Sequence, residues 1–137
     1  MIDKIAREIK ARLKGLGLFK AVERTVTGKV LSSPPSAAMF LAYDRAVVSS
    51  PMVTRELGWD LVLLIPVLGA DKGQGAAGAC IDAVRAAFTG WRPWEGGTLP
   101  AEVPEIRMEG IEQTMLVYTA RLTMKVIPAV IDKEITP

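Results

Sequence analysis

From Leu116 to Ile127 the sequence alternates. Leu116, Tyr118, Ala120, Leu122, Met124 and Val126 fall on one side, and Val117, Thr119, Arg121, Thr123, Lys125 and Ile127 fall on the other. A period of two sends successive side chains to opposite faces, so the segment reads as a strand with one apolar and one mostly wet face. That pattern belongs to antiparallel sheets, because parallel sheets are covered on both sides. Just upstream, Ile106 and Met108 alternate with Glu105, Arg107 and Glu109 and supply an antiparallel partner across Gly110. Whatever else this chain does, it has to cover one face of a sheet.

Two segments can provide the cover. Ile2, Ile5, Ala6, Ile9 and Leu13 recur at helical spacing with charges between them, and Gly15 and Gly17 end the run. Ala77, Cys80, Ile81, Val84, Ala87 and Phe88 do the same over residues 76–88, with Gly90 as the stop. Between the helices, residues 56–68 form a long apolar run with Trp59, Leu61, Leu63 and Ile65 on one side and Val62 and Leu64 on the other. This is the pattern of a central strand, ending or bulging at Pro66. Residues 37–43 read as a short buried strand, and 20–28 as a looser extended segment. Serines and prolines at 32–36, together with Ser49, Ser50 and Pro51, read as breaks, and Gly69 to Gly75 as a loop. Residues 129–137 read as a tail. The order is helix, two or three strands, helix, two strands. It predicts an α+β fold in one domain over residues 1–137, a mostly antiparallel (mixed) sheet with an N-terminal and a central helix packed on it.

The side-chain inventory removes most chemistry. The 137 residues contain no histidine and a single cysteine, Cys80. There is no imidazole base, no Ser-His dyad, no internal disulfide and no thiolate zinc site. Cys80 lies on the apolar side of the second helix, where a thiol acts as a small hydrophobe. Glu102, Glu105, Glu109 and Glu112 cluster in sequence, but beside Arg107 they read as a solvated sheet face. Gly73-Gln74-Gly75-Ala76-Ala77-Gly78 matches a dinucleotide fingerprint. It lacks the tight turn after a strand, the ribose-binding acid some twenty residues on, and the chain length for a doubly wound sheet. No cofactor, metal or catalytic set is expected, which makes a non-enzymatic protein the leading expectation.

Binding is the remaining class. Lys4, Arg7, Lys10, Arg12 and Lys14 against Asp3 and Glu8 concentrate positive charge in the first helix, while the whole chain carries only +2. Such a run usually marks a solvated helix face. It also offers a patch complementary to the remainder of a second copy, or a contact for nucleic acid. Trp91 and Trp94 flank Pro93 and read either as a docking platform or as a lid over the core. No secretory signal and no bilayer-length apolar run is present, so the sequence predicts a soluble chain made in the cytoplasm, without a membrane partner.

The layout resembles a known group. The charged first helix, the Pro/Ser break, the strand from Trp59 to Val67, the helix closing on Phe88-Thr89-Gly90-Trp91-Arg92-Pro93, and the final strand pair through Tyr118 to Val126 are similar to tail-terminator and tail-completion proteins of Mu-like bacteriophages and prophages. The resemblance covers nearly the whole chain and brings no catalytic residue; Gly90, Trp91 and Pro93 match a recurring turn of architectural role. It implies a homo-oligomeric ring, commonly a hexamer, that caps the head-proximal end of the tail tube, halts tube growth and meets the head connector. The location implied is the virion tail. Contact segments are then expected at 31–36, in a loop 44–55 and in a loop 69–75. The interaction surface would draw on Lys4, Arg7, Lys14, Asp44, Arg45, Arg55, Asp71, Lys72, Trp91 and Trp94, with DNA in the tail lumen as a further contact of the basic helix. A neighbouring head–tail joining protein is the alternative within this class, and a small nucleotide-binding enzyme using Gly73 to Gly78 the alternative outside it.

Overall fold

The computed structural model describes residues 1–26, 33, 35–49, 52–66, 70–94, 96–112 and 115–133. Helix α1 (Ile2–Gly15) is followed by strands β1 (Ala21–Arg24), β2 (Ser36–Ser49) and β3 (Met52–Pro66). Helix α2 (Ala70–Phe88), strands β4 (Glu102–Glu112) and β5 (Met115–Val126), and a short helix α3 (Pro128–Lys133) complete the chain. The five strands form one sheet in the order β1-β2-β3-β5-β4. β1 runs parallel to β2 and every other pairing is antiparallel. The fold is the mixed-sheet α+β arrangement that the alternation and the two amphipathic segments predict.

Register decides what is buried. Leu57, Trp59, Leu61, Leu63 and Ile65 of β3 stand opposite Met124, Leu122, Ala120, Tyr118 and Leu116 of β5. Period-two alternation puts all of them on one face, except that Tyr118 is only partly buried. Onto that face α1 lays Ile5, Ala6, Ile9 and Leu13, and α2 lays Val84 and Phe88. Ala77 and Cys80 of α2 meet Ile65 and Leu116 in a smaller cluster beside it. The two helices are also tied directly, as the Arg12 guanidinium donates from Nε to the Ala87 carbonyl at 2.5 Å. Trp59 is fully buried, and its indole N–H has no hydrogen-bond partner among the described residues.

Four sequence expectations need correction. Residues 44–49 and 52–55 are strand where a loop is expected, 50 and 51 lying outside the described residues: β2 continues to Ser49 and β3 already starts at Met52, pairing down to Ser49↔Met52. β5 reaches only Arg55↔Val126, so beyond that point the β2–β3 hairpin runs on as a two-stranded ribbon. A bulge between Leu41 and Tyr43 shifts the register within this pairing. Residues 70–75 of the expected loop 69–75 belong to α2, which begins at Ala70. Three glycines cost helix propensity, but propagation from the packed turns adds one hydrogen bond per residue, and no proline interrupts the run. The expected tail contains α3: its backbone bonds to Ile127, and Ile131 is fully buried against the core. The extended segment expected over 20–28 is the four-residue β1; residues 27 and 28 lie outside the described residues. Half of the 31–36 segment, residues 31, 32 and 34, also lies outside them; Ser36 opens β2.

The segment from Gly90 to Ala101 is irregular but closely tied. Gly90 takes φ +78°, which only glycine adopts without strain, and its N–H reaches the Ala101 carbonyl at 2.7 Å. Leu99 N–H donates to Lys125 O, Ile127 N–H to Gly97 O, and Thr98 bridges to Val126, so the segment lies along the end of β5.

Replacing Trp59 by Phe removes the orphan N–H together with part of the ring. The two effects oppose, and the expected net loss is under about 1.5 kcal/mol in chemical denaturation. Trp59→Ala, which leaves the whole cavity, is expected to cost about 3–5 kcal/mol.

Candidate interaction surface

The helix-free face of the sheet carries a polar cluster that sequence reading missed. Asp60 of β3 stands opposite Arg121 of β5, and the Arg121 guanidinium donates from Nε to Asp60 Oδ1 at 2.5 Å and from its second arm to Oδ2 at 3.3 Å. Asp60 is only 8% exposed, so this is a nearly buried carboxylate satisfied by a two-armed partner. The hydrogen bond to Asp60 raises the Arg121 pKa and holds its charge, against a smaller opposing effect of burial. Tyr43 completes the cluster. Its ring lies against Gly58, where an added Cβ would overlap the ring, with the guanidinium carbons of Arg121 and Arg45 at 5.4 Å and 5.6 Å from the ring centroid. The sequence did hold a trace of it: an aspartate inside a run of apolar residues needs a partner, and the wet face of β5 offers one cation at the right register.

Crossed ion pairs hold the hairpin at the base of the ribbon. Arg55 donates to Asp44, with Nε to Oδ1 at 2.9 Å, and Arg45 pairs with Glu56. Asp44, Arg45 and Arg55, expected together on a loop, are thus together on paired strands, with their charges engaged across the hairpin. Such exposed pairs contribute little stability each but fix the geometry of the arm.

The remaining candidates divide by location. Lys4 is half-buried; its Nζ donates to the Ile131 carbonyl at 3.4 Å and sits 5.5 Å from the Trp94 ring centroid. Trp94 and Trp91 both pack against the main core. Trp91 meets Phe88 edge-on, with centroids 5.3 Å apart, and the Arg12 guanidinium covers it at 5.1 Å. The tryptophans therefore close the end of the helical layer as a cation-covered lid. Arg7 and Lys14 are exposed on α1. Arg7, Lys10, Ala6, Asp3 and Arg24 line a shallow cleft of about 260 Å³ between α1 and β1. Asp3 there accepts a 2.6 Å hydrogen bond from Arg24, which holds its carboxyl below the ordinary range. Asp71 and Lys72 fall in the first turns of α2; their side chains lie outside the described residues. Gly73 to Gly78 is helix interior, so its backbone N–H groups serve helical hydrogen bonds and do not form a phosphate-cradling loop.

At the far edge of the sheet, β4 presents a rim that sequence reading took for a plain solvated face. Met108 and Ile111 are 52% and 63% exposed. Glu105 and Glu109 flank Arg107 at 3.5 Å and 3.3 Å, and Glu102 is exposed near the start of the strand. A second cleft, of about 410 Å³, opens between Glu102, Leu99, Lys125 and Glu56. Among the described residues no three His, Cys, Asp or Glu side chains converge as a metal site, and no helix is long and apolar enough to cross a membrane.

Burial pushes the Cys80 thiol from 9.0 up to about 11. The unfolded chain therefore gives up this proton first, and the folded form loses stability as pH rises from about 9 to 11. Native protein is expected to resist iodoacetamide at pH 8, while urea-unfolded protein reacts fully; equal rates in the two states would contradict the burial. On the opposite face, Asp60→Ala is expected to cost about 2–4 kcal/mol because it leaves Arg121 without its partner. Gly58→Ala is expected to cost about 1–3 kcal/mol in the native background and much less beside Tyr43→Ala, a non-additivity that a double-mutant cycle measures.

No family model matches this sequence, and no curated protein matches it. Among solved structures, the fold is similar to a chain of "Virion of native gene transfer agent (GTA) particle". The TM-score is 0.51, the sequences are 15% identical, and the match covers 83% of this chain and 83% of that one. At that identity the likeness shows a shared fold.

Proposed function

We propose that the protein is a non-enzymatic structural subunit of a phage-type virion. In this reading it assembles with copies of itself into a ring, commonly a hexamer in tail terminators, at the head-proximal end of a tail tube. There it stops tube growth and presents its other face to the head connector. The observation that carries the reading is the fold likeness to a gene transfer agent virion chain, which extends over 83% of both chains and so concerns the whole architecture. It accords with the order of elements and the Gly90-Trp91-Arg92-Pro93 turn, on which the resemblance to tail terminators rests.

The surface supports a docking role. A ring subunit needs two different patches that meet head to tail, and it needs projections to reach its neighbours above and below. The β2–β3 ribbon beyond Arg55 and the exposed rim of β4 are such features. The basic α1 face offers a further contact for DNA passing through a ring, whose mark is binding that weakens steeply with salt. The glycine-rich segment gives no support to nucleotide chemistry, because it is folded into α2.

Electron microscopy of the purified chain is expected to show closed rings. Added to the tube subunit of the same tail, the protein is expected to shorten the tubes and to sit at one end of each. Tubes of unchanged length with no end-bound density would overturn the tail-terminator role.

A further inference from the structure

The strand order places two chemically opposite rims at the two ends of one sheet. At one end are β1 and the α1 face beside it; at the other is β4. The α1–β1 rim is basic. Arg7, Lys10 and Lys14 form no ion pair with another described residue; Arg7 and Lys10 line the cleft of about 260 Å³ together with Ala6 and with Asp3 and Arg24, whose charges offset each other in an ion pair. The aliphatic stems of Arg7 and Lys10 make the walls of that cleft apolar below a charged margin. The β4 rim is the inverse. Met108 and Ile111 stand exposed on an edge strand, and Glu102, Glu105 and Glu109 outnumber Arg107 along it.

We propose that the β4 rim of one copy docks into the α1–β1 cleft of the next, Met108 or Ile111 entering between the arginine and lysine stems and the β4 glutamates meeting Arg7 and Lys10. This inference rests on the reading of the chain as a ring subunit and names the faces by which the ring is made. An exposed edge strand with large apolar side chains invites pairing. Its glutamates decide with what. In the two-fold register centred on Arg107, β4 against a second β4 would set Glu105 opposite Glu109 and Arg107 opposite Arg107, which disfavours that dimer. The α1–β1 rim has the complementary charge and lies on the opposite side of the molecule. The contact is therefore head to tail, and repeating it generates a ring when the rotation closes.

A charge swap tests this, read by sedimentation velocity and mass photometry, with circular dichroism to establish that each variant is folded. The native chain is expected to associate beyond a dimer. Arg7→Glu with Lys10→Glu, and separately Glu105→Lys with Glu109→Lys, are expected to weaken association at least about tenfold. An equimolar mixture of the two variants, and a single chain carrying all four changes, are expected to regain it, because each basic surface again meets an acidic one. The milder pairs Arg7→Gln with Lys10→Gln and Glu105→Gln with Glu109→Gln should weaken assembly in the same direction and serve if a reversal fails to fold. Native-like association in either reversed variant overturns the interface while leaving the ring reading standing. A dimer that responds to the β4 changes alone overturns it in favour of β4–β4 pairing. A native chain that stays monomeric at every concentration fails the ring reading itself.

Discussion

β3 and β5 pair without a break from Arg55↔Val126 to Pro66↔Met115, and this register governs the rest of the molecule. Side-chain direction alternates strictly along a strand, so a slip of one residue would turn Trp59, Leu61, Leu122 and Met124 away from the helices and bring Asp60 and Arg121 into the core. The native register does the reverse. It supplies one continuous apolar surface for α1, α2 and α3, and it brings Asp60 and Arg121 within two-armed hydrogen-bonding distance on the other side. Burial of the apolar face contributes stability in proportion to area. The ion pair adds a penalty against the wrong pairing, because either charge buried alone would be costly.

With one face sealed, what remains available to a partner is the helix-free face with its Asp60–Arg121–Tyr43 cluster, the rim of the sheet, the ribbon and the outer sides of the helices. The base of the ribbon is held by pairs between Asp44 and Arg55 and between Arg45 and Glu56, each internal to the hairpin. The tryptophan lid is likewise occupied from within, by Phe88 and the cations of Arg12 and Lys4. Arg7, Lys10 and Lys14 differ in having no ion-pair partner among the described residues, and Met108 and Ile111 in having little cover. These are the groups with interaction free energy still to gain.

The readings that failed did so for related reasons. Ser49, Ser50 and Pro51 suggest the middle of a loop over 44–55 because turn formers punctuate a sequence, but the paired strands run on to Ser49 and Met52. Gly69 to Gly75 reads as flexible because local propensity cannot register the turns of α2 that follow and propagate backward. Residues 128–133 carry no helical period long enough to recognise. The helix forms where Ile131 finds a socket against the core, beside Trp94, Gly97 and the Lys4 amine. Trp91 and Trp94 read equally as platform and as lid, and only their places in space separate the two: Trp91 against Phe88 and Arg12, Trp94 beside Lys4, both on the core.

The sequence by itself determined the α+β class, the amphipathic faces of α1 and of α2 from Ala77 onward, the apolar side of β5, and the absence of histidine-based chemistry. Each follows from residue type and spacing along a few turns or a single strand. Tertiary structure alone decided which strands neighbour one another, that Asp60 faces Arg121 and Tyr43 lies over Gly58, and that a basic rim and an acidic rim stand at opposite ends of one sheet. Those relations join residues that lie tens of positions apart, and no local periodicity encodes the distance between them.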